Sequence, residues 1–150
     1  MDLAPDFDEF IACLNARGVE FLIVGAYALA FHGAPRFTGD FDVWIRPTLE
    51  NGAKLLAALR DFGFPAPELT PEAVTRPRAM LQMGVEPVQI HVMATISGVT
   101  WDDAWAHRVP AIIGGHGAAF LGKTAFLQNK RAAGRPQDLA DIDALRDGED

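Results

Sequence analysis

The chain has 150 residues, of which 49% are hydrophobic, and this is enough for one domain with its own core. Twenty acidic against thirteen basic residues give a net charge of −7, which makes long nucleic acid an unfavourable partner. No apolar stretch approaches the roughly 20 residues of a membrane helix, and the acidic N-terminus is unlike a secretory signal. We expect a single cytoplasmic domain, residues 1–150, without membrane contact.

The first half of the chain alternates helix and strand signals. Asp6 and Glu9 have the spacing of a capping box, and a glycine after a branched apolar run indicates a strand-to-helix turn. The predicted elements are, in order, a helix from Asp6 to Gly18, a strand over 19–24, a helix over 26–31, a strand over 40–45 and a helix from Pro47 to Gly63.

The second half begins with a proline-rich connection and continues with short elements. The connection, residues 65–77, is predicted to contain at most one helical turn. Two apolar runs around GVEP, residues 84–87, predict a hairpin. The elements are strands over 79–83 and 88–93, a helix over 101–107, strands over 109–113 and 118–121, a helix capped by Thr124 that runs to Ala133, and a helix over 138–146 with Leu139, Ile142 and Leu145 inward.

Two aspartates interrupt the apolar strand over 40–45. Asp40 and Asp42 are two residues apart, so their side chains leave the same face of the strand. Carboxylates that close repel each other unless a cation compensates them, and hard divalent ions select such oxygen ligands. The pair predicts a metal site, with a turn aspartate and a helix cap as the structural alternative.

The preceding turn predicts an anion site at the same end of the sheet. Gly25 follows a buried strand and opens a short helix, so backbone amides there can face a phosphate. Both features are compatible with a single nucleotide that arrives together with a metal ion.

These motifs resemble those of the minimal nucleotidyltransferase-fold proteins. GAYALAFHGAPRFTGDFDVWI, residues 25–45, is similar to their glycine turn, helix, Arg, Thr and Asp-x-Asp strand. FLQNKRAAGRPQDLADIDAL, residues 126–145, resembles the closing segment of a small bacterial branch, and ISGVTWDDAW, residues 96–105, resembles the segment between. The resemblance implies an α/β (α+β) nucleotidyltransferase fold, with a mixed β-sheet flanked by helices and a C-terminal helical pair.

The resemblance also implies a reaction. Two Mg²⁺ or Mn²⁺ ions, about 3.5 to 4 Å apart, would support transfer of a nucleoside monophosphate from a nucleoside triphosphate to an acceptor hydroxyl. The acceptor would bring its own surface, as a partner protein does in two-gene toxin–antitoxin systems. The implied roles are Asp40 and Asp42 as metal ligands, Gly25 and Ala26 as the phosphate turn, Lys130 and Arg135 as triphosphate cations, and Arg36 and Thr38 at the approach to the site.

Two positions depart from the family pattern. The second residue of the glycine turn, often a serine, is Ala26. The third carboxylate of active members falls on His91, whose imidazole suits Mn²⁺ or Zn²⁺ better than Mg²⁺. We predict His91 as a metal ligand or catalytic base, with a hydrogen-bonded structural histidine as the alternative.

Rival interpretations stay open at this point. Ala26 and His91 favour a catalytically weakened module that binds a nucleotide or a protein. His91 and the two aspartates could instead hold one transition metal for hydrolysis. Lys130 could lie on a solvated helix face, and Arg135 could form a structural ion pair with Asp138.

Overall fold

The fold is described by a computed structural model that covers residues 3–34, 39–64, 66–85 and 88–147. Within those ranges helices and strands alternate much as the sequence predicts. In chain order they are α1 Pro5–Ala16, β1 Phe21–Val24, α2 Gly25–Phe31, β2 Asp40–Ile45, α3 Leu49–Phe62, α4 Pro71–Thr75, β3 Met80–Val85, β4 Val88–Met93, α5 Trp101–Ala106, β5 Val109–Ile113, β6 His116–Phe120, α6 Lys123–Ala133 and α7 Pro136–Asp147.

The described strands form one mixed sheet in the order β3-β4-β2-β1-β6-β5. β2 lies at its centre, antiparallel to β1 and parallel to β4. β1 is also parallel to β6, and two antiparallel hairpins, β3 with β4 and β5 with β6, complete the edges. The predicted mixed sheet flanked by helices is confirmed.

Helices cover both faces of the sheet. On one face, Phe7 of α1 stacks on Phe41 of β2 with ring centroids 5.0 Å apart, and α3 packs beside α1. On the opposite face, Trp101 of α5 meets Trp44 edge to face at 5.1 Å. None of the helices in the described part of the chain has the length and apolar character required to cross a membrane.

Three local predictions were wrong. α1 begins at Pro5 after Ala4, and no side chain caps it, so Asp6 and Glu9 form no capping box; the fixed φ of proline starts the helix instead. α6 follows Gly122, which leaves Thr124 inside the helix. Leu139 is 50% exposed, whereas Ile142 and Leu145 are buried as predicted, so only part of the apolar stripe on α7 reaches the core.

Candidate functional site

The two aspartates of β2 lie on one face at the centre of the sheet. Asp40 pairs with Gln89 and Asp42 with His91 in the parallel register of β2 with β4. Paired residues of neighbouring strands share a face, so these four side chains point the same way. This predicted juxtaposition requires β2 and β4 to be neighbours, and they are.

Gly25 lies directly against the carboxylate of Asp42. Its backbone has φ +68°, which glycine adopts without steric cost, and it is the first residue of α2. A β-carbon at this position would overlap Oδ2 of Asp42. The turn predicted to bind phosphate therefore adjoins the predicted metal ligand, and glycine is required there both by φ and by space.

His91 is hydrogen-bonded to Asp42. Its Nδ1 lies 2.8 Å from Oδ1 of Asp42, and its Nε2 lies 3.2 Å from Oε1 of Gln89. An ionised carboxylate can only accept, so Nδ1 carries the proton. The His91 side chain is 17% exposed and thus faces neither the apolar core nor bulk water.

The Asp42 carboxyl is held in a partly dehydrated position. Burial raises the pKa of Asp42 above its usual range, and this outweighs the hydrogen bond from His91, which lowers the pKa. The negative charge of Asp40 adds to the rise, while the positive charge of Lys130 opposes it. A cation bound beside Asp42 would remove this cost of burying the ionised form.

Lys130 belongs to a buried ion-pair network between α6 and α7. It is 8% exposed, and its Nζ lies 3.3 Å from both Asp138 Oδ1 and Asp141 Oδ2. The interpretation of Lys130 as part of a solvated face was wrong. Both carboxylates of α7 face the Lys130 ammonium, which compensates their burial.

Arg135 closes the same network from outside. Its Nε lies 2.7 Å from Asp138 Oδ2, which also accepts from the Arg135 backbone N–H at 3.1 Å. The predicted ion pair of Arg135 with Asp138 is confirmed. Hydrogen bonds from the Arg135 side chain, above all, hold the pKa of Asp138 below its usual range.

A cleft of about 760 Å³ lies beside Asp42, with the sheet on one side and α6 on the other, and neither Asp40 nor His91 lines it. Its volume is in the range of sites that enclose a small organic ligand. Four of the predicted residues line it, namely Gly25, Asp42, Lys130 and Arg135. Ala26 is buried in the first turn of α2, and Arg36 and Thr38 lie outside the described residues.

Sequence reasoning missed part of the cleft lining. Arg78, Thr95, Ser97 and Asn129 contribute to it. Asn129 Nδ2 donates to the Ser97 carbonyl at 3.0 Å, which ties α6 to the loop after β4. Ser97 and Asn129 lie in two segments of the resemblance, residues 96–105 and 126–145, whereas Thr95 and Arg78 gave no signal.

Asp40 and Asp42 are the carboxylates that could hold one hard divalent ion. Among the residues that the structure describes, no group of three or more His, Cys, Asp and Glu side chains is arranged to hold an ion. Mg²⁺, however, is commonly bound by one or two carboxylates together with substrate phosphates, and Asp40 and Asp42 supply two. His91 stands at the position of the third carboxylate, and both of its nitrogens already face oxygen atoms. A second ion would therefore find no carboxylate ligand there.

Comparisons with known proteins identify the fold. No family model matches the sequence, and no curated protein matches it significantly. The lincosamide antibiotic adenylyltransferase LnuA, solved with lincomycin bound, aligns over 97% of this chain and 97% of its own, with a TM-score of 0.60 and 12% identity. A Thermotoga maritima protein provisionally designated a nucleotidyltransferase aligns over 94% of this chain and 88% of its own, with a TM-score of 0.58 and 12% identity. The chain therefore has the nucleotidyltransferase fold.

Proposed function

We propose that the protein binds a nucleoside triphosphate with a divalent ion and transfers the nucleoside monophosphate to an acceptor hydroxyl. The observation that carries this proposal is the convergence of Asp42, Gly25 and Lys130 on one cleft in this fold. Nucleotidyl transfer needs a metal ligand, donors for the phosphates and a fixed cation more than it needs covalent help from the protein.

Asp40 and Asp42 would hold Mg²⁺ or Mn²⁺ through their carboxylate oxygens. When bound, the ion would polarise the phosphate under attack and balance charge on the leaving pyrophosphate. Burial raises the pKa of Asp42, because the ionised carboxylate loses part of its hydration. A bound cation would stabilise this ionised form. Asp42 is proposed as the principal ligand, because it lines the cleft and Asp40 does not.

The phosphates would lie between the Gly25 turn and α6. Backbone amides at Gly25 and Ala26 are proposed to donate to them, because the N-terminus of a helix carries unpaired N–H groups. Lys130 is proposed to contribute its charge from a position fixed by Asp138. The Arg135 side chain is 74% exposed and is proposed to reach the phosphates while it keeps its pair with Asp138. Arg36 and Thr38 are proposed at the approach, on the sequence pattern alone.

His91 is proposed to take the proton of the acceptor hydroxyl. With the Nδ1 proton held by Asp42, the basic lone pair lies on Nε2. The neighbouring Gln89 amide can donate to or accept from that nitrogen according to its orientation. His91 would thus act as a base in place of the missing carboxylate, and it would not be a metal ligand in the proposed reaction.

The acceptor is proposed to be a partner protein, in line with the resemblance to toxin–antitoxin nucleotidyltransferases. A small molecule, such as the lincomycin bound by LnuA, is the other source of a hydroxyl group. The protein is incubated with a cell extract, Mg²⁺ or Mn²⁺, and labelled ATP, GTP, CTP or UTP. The assay shows whether the label enters protein or small molecules.

The experiment that tests the proposal compares the wild type with Asp40→Asn/Asp42→Asn. We expect label transfer by the wild type and none by the double variant, with circular dichroism showing that both are folded. Transfer that survives in the double variant would refute the proposal. His91→Gln, which keeps a polar side chain, should retain triphosphate binding and lose most of the transfer.

A second candidate is supported by the His91–Asp42 hydrogen bond. Because this bond occupies one oxygen of the proposed metal ligand, the fold could serve as a nucleotide- or protein-binding module with little turnover. Calorimetry separates the two. Triphosphate binding with no transfer under any metal would favour the module, and restoration of transfer by His91→Asp would show that the missing carboxylate limits catalysis.

A further inference from the structure

The cations that line the cleft differ in whether a carboxylate pairs with them. Lys130 lies between Asp138 and Asp141, and Arg135 pairs with Asp138, so the positive charges on the α6 side are already balanced by buried carboxylates. Among the described residues, no acidic side chain pairs with Arg78, which lines the opposite wall and is exposed. Arg78 is thus the cleft cation most available to a ligand.

The backbone at Arg78 fixes its position. Its φ is +67°, a conformation that a residue with a side chain seldom adopts. The strained residue is held by a hydrogen bond from its N–H to Thr95 Oγ1, at 3.0 Å, and by the pairing of Ala94 N–H with the Ala79 carbonyl at 3.0 Å. Such conformations persist where the surrounding structure over-determines them, and they concentrate at ligand sites.

Arg78 lies at the far end of the cleft from Asp42. Asp42 is in register with His91, whereas Thr95, the partner of Arg78, follows His91 by four residues. An extended chain rises about 3.3 Å per residue, so these four residues span at most about 13 Å along the sheet, and Thr95 lies beyond the end of β4. Met80 and Met93 line the cleft between them, and Met80 is 61% exposed.

We propose that Arg78, together with Thr95, forms a second anion subsite that binds a phosphate or carboxylate group of a substrate at the end of the cleft remote from Asp42. A guanidinium presents paired N–H donors that match both groups. Thr95 Oγ1 accepts from the Arg78 N–H and can still donate its own proton to an anion. As a substrate subsite, this assignment rests on the proposed function.

Two sources of the anion are compatible with this chemistry, namely the phosphate tail of the nucleotide and an anionic group of the acceptor. Calorimetry with inorganic tripolyphosphate tests the first source, because it has phosphates and no nucleoside. Inorganic phosphate added to the protein already saturated with ATP and Mg²⁺ tests the second.

The variants are Arg78→Gln and the matched control Arg76→Gln, which removes an exposed arginine two residues away that does not line the cleft. Loss of one charged hydrogen-bonding partner should weaken the binding of tripolyphosphate or of inorganic phosphate, according to the source of the anion, about tenfold or more in Arg78→Gln. Arg76→Gln should bind both as the wild type does. Arg78→Gly should behave as Arg78→Gln does, while its backbone adopts φ +67° freely, which guards against misfolding.

Unchanged affinities for both anions in Arg78→Gln and Arg78→Gly, relative to Arg76→Gln, would overturn the subsite. So would an equal loss in Arg76→Gln, since that would indicate a general charge effect. Failure of the proposed function is a separate result. If Asp40→Asn/Asp42→Asn and the wild type transfer no label, Arg78-dependent binding of tripolyphosphate would still establish the anion site.

Discussion

Replacement of Lys130 by methionine tests the buried network between α6 and α7. Methionine has a similar length and is apolar, so packing is largely kept while the charge is lost. Asp138 and Asp141 are 1% and 4% exposed, so their carboxylates would remain in the interior without the ammonium that faces both. Removal of one partner from a buried pair costs about 3 to 5 kcal/mol.

The loss should fall at the lower end, about 3 kcal/mol, since Arg135 still contacts Asp138 at 2.7 Å. For a chain of 150 residues this corresponds to a fall in Tm of about 6 to 12 °C. Urea denaturation followed by circular dichroism measures the free energy of unfolding, and a thermal scan measures Tm.

Arg131→Met is the matched control, because Arg131 is the next residue of α6 and is exposed. It should change the free energy of unfolding by less than about 0.5 kcal/mol. The combined variant Lys130→Met/Asp138→Asn/Asp141→Asn should recover part of the lost stability, since the buried charges leave together. If Lys130→Met were no less stable than Arg131→Met, the network would not hold α7 on α6 and the reasoning would fail.

Further predictions concern the Gly25 turn and the two perturbed aspartates. Gly25→Ala should be less stable than Gly18→Ala by about 1 to 3 kcal/mol in urea melts, because both have φ near +70° but only a Gly25 β-carbon overlaps Asp42; equal losses would contradict this. Asp42→Asn should leave the urea midpoint at pH 7 unchanged or raise it, because burial raises the pKa of Asp42 and so opposes its ionised form; a clear drop would show that the His91 bond dominates. The pKa of Asp138 is lowered on folding, so its ionised form stabilises the fold above its unfolded pKa, near 3.8, and that contribution disappears as the pH falls through the folded value. The advantage of the wild type over Asp138→Asn should therefore shrink below about pH 4, and a difference that stays constant from pH 6 to pH 2.5 would be inconsistent with it.

The sequence by itself determined the local structure and the chemistry of β2. Asp40 and Asp42 on one face and Gly25 as a strand-to-helix turn follow from spacing within one or two elements, because strand periodicity and glycine φ preferences act over a few residues. The position of His91 in place of a third carboxylate is implied by the resemblance. The order of helices and strands was readable for the same reason.

Only the tertiary structure decided which of these residues meet. The His91–Asp42 hydrogen bond needs β4 beside β2, 49 residues apart in the chain. The Lys130 network needs α7 to fold back on α6, and Arg78 reaches the cleft only through the pairing of β3 with β4. Such contacts depend on which elements become neighbours. That choice is made by burial of the whole core, and no local pattern in the chain encodes it.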